Sequence, residues 1–99
     1  MLVVLAKLTV RPEKKSELLE YAKALIAATR LEEECISYEL LEDPYDASNL
    51  LFVERWTDKN ALDKHQQMPH IYLWRQQSLP LLAEKTVVRL YHSEEIELS

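Results

Sequence analysis

Two histidines, His65 and His70, stand five residues apart in the run ALDKHQQMPHIYLWRQQ (residues 61–77), on either side of Pro69. Imidazole titrates nearest neutral pH, so this spacing could serve metal ligation, acid–base chemistry in a pocket, or plain filling of a partly buried site. His65 follows Leu62 by three residues and Ala61 by four, which turns it toward the apolar side of a helix. His70 precedes Trp74 by four and shares a face with it on the next helical segment. The paired spacing of helical zinc sites is absent, and Pro69 breaks the helix between the two rings, so the spacing argues against a metal. Acid–base work in a pocket and partly buried histidines with backbone partners both remain open.

A second signal is VERW (residues 53–56). Phe52, Glu54 and Trp56 share one face of a strand by its two-residue period, and Glu54 and Arg55 fall in its middle. Charges there are costly unless paired or facing a cavity. Lys7, Arg30 or Arg89 could supply an ion-pair partner; alternatively Glu54 forms a cavity wall and orients a histidine. Ser37 and Tyr38 on the preceding strand are further polar candidates, and Cys35 reads as a small buried hydrophobe.

Residues 2–10 are apolar on both faces and read as a strand buried on both sides. Residues 11–34 follow with Pro12 suited to a first helical position. Leu18, Ala22, Leu25, Ile26 and Thr29 lie on one face, predicting a helix of about five turns. Residues 35–43 form a second strand, PYDASN a turn, and residues 50–57 a third strand. Thr57 or Asp58 caps a short helix carrying Ala61, Leu62 and His65. Pro69 opens another helical piece, with Ile71, Leu73 and Trp74, that breaks near Pro80. Residues 85–92 form the last strand. Strand, helix, strand, strand, helix, strand is the split βαβ, ferredoxin-like order: an α+β fold with a four-stranded antiparallel sheet and helices on one face. Strands apolar on both faces need a second cover, and a second copy of the same sheet would supply it, predicting a homodimer.

The 99 residues fit one domain, residues 1–99, and the 47% hydrophobic and 29% charged content is that of a globular chain. A net charge of −5 lacks the basic face that nucleic-acid binding requires. No apolar run suits a signal peptide or membrane span, and the lone Cys35 fits a reducing compartment, so a cytoplasmic protein is expected. There is no glycine at all, which excludes the glycine-rich loops that hold nucleotide phosphates and dinucleotide cofactors.

Taken together, TRLEEECISYELLED and LLFVERWTDKNALDKHQQMPHI resemble the antibiotic biosynthesis monooxygenase (ABM) family, including its quinol monooxygenases. The resemblance rests on Thr29, Arg30, Glu32, Cys35, Tyr38, Glu54, Trp56, Asp58, His65, Pro69 and His70, and it spans essentially the whole chain. Glu34 stands where the family often has glycine, and a left-handed backbone there would be costly, so a reshaped turn is expected. Haem-degrading relatives use an Asn in the first strand, where this chain has Lys7, and that activity is not expected.

The resemblance implies a dimeric α+β barrel whose pocket lies between sheet and helices. It also implies monooxygenation of a quinol- or polyphenol-like molecule by O₂ with no metal or other cofactor. His65 would be the base, with Glu54 orienting it. Trp56, Trp74, Ile71 and Tyr38 would form the aromatic slot, Arg30 or Lys7 would stabilise anionic oxygen, and His70 would shape the entrance. Two alternatives stay open: isomerisation of a small carbonyl compound, phosphorylated or not, and non-catalytic small-molecule binding by a dimer.

Overall fold

In the computed structural model, which describes residues 1–99, strand β1 (Leu2–Thr9) alternates buried and less buried residues. Leu2, Val4, Ala6 and Leu8 point to the interior. Strand β3 (Asn49–Trp56) pairs with it antiparallel and contributes Leu50, Phe52, Glu54 and Trp56 to the same face, with Val4 opposite Glu54 and Ala6 opposite Phe52. Strands β2 (Cys35–Glu42) and β4 (Val87–His92) flank this central pair, giving the antiparallel order β2-β3-β1-β4. This is the expected ferredoxin-like sheet.

Pro12–Lys14 form a 3₁₀ turn leading into helix α1 (Lys15–Thr29), which buries Leu18, Ala22, Leu25 and Thr29 at helical spacing. The helix ends five residues earlier than the helix-forming composition of residues 30–34 suggests. Continuing it would gain little burial, since Leu31 is exposed. Instead the backbone turns through Glu32 N–H to Thr29 C=O and Cys35 N–H to Glu32 C=O bonds. No residue has positive φ. The turn at Glu34 thus needs no left-handed residue, which accounts for its tolerance of a side chain. The β2–β3 connection likewise works without glycine: Asp43 Oδ1 accepts from the Tyr45 N–H and Asp46 Oδ1 from the Ser48 N–H.

Helix α2 (Lys59–His65) starts at Asp58, whose Oδ1 accepts the Ala61 N–H at 2.9 Å, and helix α3 (Pro69–Ser78) starts at Pro69. A 3₁₀ turn (Leu79–Leu81) carries the chain toward β4. The helices bury one sheet face in a core that joins Val4, Leu18, Leu25, Phe52, Trp56 and Trp74. On the other face Val3, Leu5, Leu51 and Val53 are only half-buried, so β1 is not fully covered on both sides by its own chain. All of β4 is exposed. No helix is long and apolar enough to cross a membrane.

Candidate active site

A cavity of about 430 Å³ opens between the helix-covered sheet face and helices α2 and α3. That is room for a small aromatic molecule. Tyr38 from β2, Phe52 and Glu54 from β3, and Ile71 and Trp74 from α3 line it, together with His65 at the end of α2. Its walls are mainly apolar. Phe52 meets Trp74 edge-on, with ring centroids 5.6 Å apart, and Tyr38 lies 5.2 Å from Phe52.

His65 is carried inward by α2, because Ala61 and Leu62, one turn earlier, are buried against the sheet. Its ring is 1% exposed and packs 4.7 Å from Trp56 and 5.6 Å from Tyr38. Nδ1 lies 2.7 Å from Glu32 Oε2. A carboxylate oxygen accepts, so this contact places the ring proton on Nδ1 and leaves Nε2 as the unshared nitrogen of a cavity-lining residue. Burial holds the His65 pKa below the ordinary imidazole value although Glu32 pulls it upward. At neutral pH the ring is therefore an uncharged acceptor. His70 Nε2 donates to the same Glu32 oxygen, also at 2.7 Å.

The orienting carboxylate is thus Glu32, and the expectation that Glu54 fills this role is corrected. Glu54 Oε1 instead accepts the indole N–H of Trp56 at 3.0 Å. No cation pairs with Glu54. Burial pushes its pKa up to about 7, against the lowering by the Trp56 hydrogen bond and with a further rise from the Glu32 charge. Arg55 points to the other sheet face and reaches Ser37 and Glu39. The Tyr38 phenol is raised by burial and then by Glu54, so it is a protonated wall of the cavity and not a base. Burial and the Glu32 charge push Cys35 up to about 11, far from a reactive thiolate.

Other expected positions divide in the same way. Tyr38, Ile71 and Trp74 do line the cavity. Trp56 is fully buried behind His65 and supports the ring without forming a wall. His70 braces Glu32 and does not line the cavity. Lys7 alternates onto the helix-free face, and Arg30 Nε is used by the Tyr38 carbonyl, so neither reaches the cavity. The cavity's cation is Arg75, whose guanidinium bonds the Gln66 side chain. Its signal was present in the sequence: Ile71, Trp74, Arg75 and Ser78 fall at the spacing of one helical face. Glu32, His65 and His70 place three ligand-capable atoms within 4.8 Å of one another, a cluster that chain spacing alone did not suggest.

The family model described as antibiotic biosynthesis monooxygenase matches residues 1–77, which hold Glu32, Tyr38, Glu54, His65, His70 and Arg75. The chain belongs to that family. Among its relatives, the Synechocystis sp. protein "Uncharacterized protein sll1783" is 33% identical over 96 residues; the chain spans 65% of that protein's length, and the match covers 97% of this chain. The Mycobacterium tuberculosis protein named "Putative monooxygenase Rv0793" is 36% identical over 85 residues, covering 86% of this chain and 83% of that one. The solved Rv0793 structure superposes with a TM-score of 0.88 at 34% identity, covering 99% of this chain and 98% of the other. A crystal structure described as that of an antibiotic biosynthesis monooxygenase gives a TM-score of 0.90 at 28% identity, covering 96% of this chain and all of the other.

Proposed function

We propose that this ABM-family chain is a monooxygenase that oxidises a quinol- or polyphenol-like aromatic with O₂ and needs no electron-donating cofactor. The observation carrying this reading is the Glu32–His65 pair, which leaves an uncharged imidazole nitrogen on an aromatic-walled cavity. A diol becomes a strong reductant of O₂ once deprotonated. His65 Nε2 takes the phenolic proton, Glu32 holds the tautomer, and His70 steadies Glu32. Glu54, largely protonated below about pH 7, donates a hydrogen bond to the substrate's second oxygen, and Arg75 offsets its anionic charge. The overall reaction balances as quinol plus O₂ giving hydroxyquinone plus water, with all four electrons from the substrate. A single cavity cation and mostly apolar walls favour this reading over isomerisation of a phosphorylated carbonyl compound. The relative named a monooxygenase supports the same class.

The test is oxygen consumption by pure protein across a panel of quinols, with product mass measured. His65→Ala should lower turnover by ~10²–10⁴-fold, the range for a positioned general base, while leaving the fold intact. His70→Ala should be milder. Near-normal turnover in both variants would make the histidines fillers and sink the assignment.

A further inference from the structure

We infer that Glu32, His65 and His70 form a binding site for a divalent ion of the zinc or cobalt class, placed behind the proposed base. Three separate elements supply the donors: the α1–β2 turn gives Glu32 Oε2, the end of α2 gives His65 Nδ1, and the first turn of α3 gives His70 Nε2. Pro69 separates the two helices, and the turn between them swings both rings onto one carboxylate. Two imidazole nitrogens and one carboxylate oxygen suit borderline ions such as Zn²⁺ and Co²⁺, not the oxygen-seeking Mg²⁺ or Ca²⁺. Three protein ligands also leave a coordination position for water.

The geometry is close to that required. Both nitrogens lie 2.7 Å from the oxygen, and all three atoms fall within 4.8 Å. With bonds of about 2.0–2.2 Å, neighbouring ligands of a tetrahedral ion sit roughly 3.4 Å apart. The two N–O gaps must therefore widen by roughly 0.7 Å and the N–N gap, at most 4.8 Å, must close toward roughly 3.4 Å, which rotation of a carboxylate on a turn and of a ring at a helix start can supply.

The ion's place decides its role. His65 Nδ1 points at Glu32, which lines an outer recess with Glu33, Glu34 and Lys64 and takes no part in the cavity wall. An ion there would not touch a molecule in the cavity. It would take the Nδ1 lone pair, so the neutral ring would carry its proton on Nε2, where it can donate but not accept. Bound ion and active base are thus mutually exclusive. That consequence rests on the proposed role of His65; the site itself does not.

The test titrates metal-free protein with Co²⁺ and follows its visible absorption, in parallel with His70→Ala and the shape-conserving Glu32→Gln. One Co²⁺ per chain is expected. Each variant should weaken binding by at least the roughly 10–100-fold that outer-shell partners alone contribute. Nitrogen-15 NMR of the His65 ring should show the proton moving from Nδ1 to Nε2 when Zn²⁺ is added. Failure to bind Co²⁺ would overturn the site. Equal binding by wild type and both variants would place the ion elsewhere, for example on the acidic C-terminal segment, and would overturn it too. A chain that binds Co²⁺ at this site while His65→Ala keeps full turnover retains the ion site and loses only the base.

Discussion

Glu54 and His65 share a cavity, and burial pushes their proton affinities in opposite directions. Glu54 moves up to about 7 and His65 moves below its ordinary value, so a window exists in which the carboxyl holds a proton and the imidazole does not. Turnover should be bell-shaped with pH: it falls on the acid side as His65 protonates and on the basic side as Glu54 ionises near 7. Stability carries the same information. The folded chain binds the Glu54 proton more tightly than the unfolded chain, so this contribution is present at low pH. It is lost as pH rises from about 4.5 through about 7, by on the order of 3 kcal/mol. Glu32, Tyr38, His65 and Arg75 surround the group, and His65 contributes the opposite slope, losing stability as pH falls through its own range. Both backgrounds keep those residues, so comparing wild type with Glu54→Gln isolates Glu54. Urea unfolding at pH 5 and pH 8 should show the variant gaining relative stability at the higher pH. A pH-independent difference would mean that Glu54 does not titrate as a buried group.

The elements decide whether these groups meet. Helix α2 is two turns long and gains little from propensity alone, so its Asp58 cap and its buried Ala61–Leu62 face hold His65 in place. Asp58→Ala should cost about 1 kcal/mol and lower the melting temperature by roughly 4–8 °C, measured calorimetrically. A change within experimental error would show that packing alone fixes α2. Strand alternation and helical spacing made the four strands, the three helices and the inward turn of His65 readable from the chain, because each is a local pattern. The end of α1 was not readable, since Arg30 to Glu34 are good helix formers and only the loss of a burial surface stops them. The Glu32–His65 pair was hidden for a related reason. It spans 33 residues and exists only once α2 and the α1–β2 turn pack together. Lys7 and Arg30 misled because their charge suits an anion, whereas strand parity and the Tyr38 carbonyl send them elsewhere.

At the scale of the whole molecule the chain is a slab of 41 × 35 × 20 Å, the thickness of one helix layer on one sheet. Val3, Leu5, Leu51 and Val53 stand half-buried on the helix-free face, and the exposed Leu41, Val87 and Tyr91 extend that apolar surface to both edges. Arg55, Ser37 and Glu39 add a small polar cluster toward β2, and Lys7 and Arg89 stand on the same face toward β4. We propose a homodimer with the two sheets face to face, because a second copy would cover this open, largely apolar face with matching chemistry. The cavity lies on the opposite side of each sheet, so closing the dimer would leave it open while stiffening the strands that carry Tyr38, Phe52 and Glu54. Stable interfaces of this kind bury about 1,200–2,000 Å² in total. Sedimentation velocity at micromolar concentration should give twice the chain mass. Leu5→Arg should shift the protein toward monomer, because residue 5 stands opposite Arg89, and a second cation there would have to be desolvated with no partner. The same substitution should leave the pH dependence of Glu54 unchanged, since residue 5 faces away from the cavity. A wild-type chain that sediments as a monomer at that concentration would defeat the face-to-face dimer.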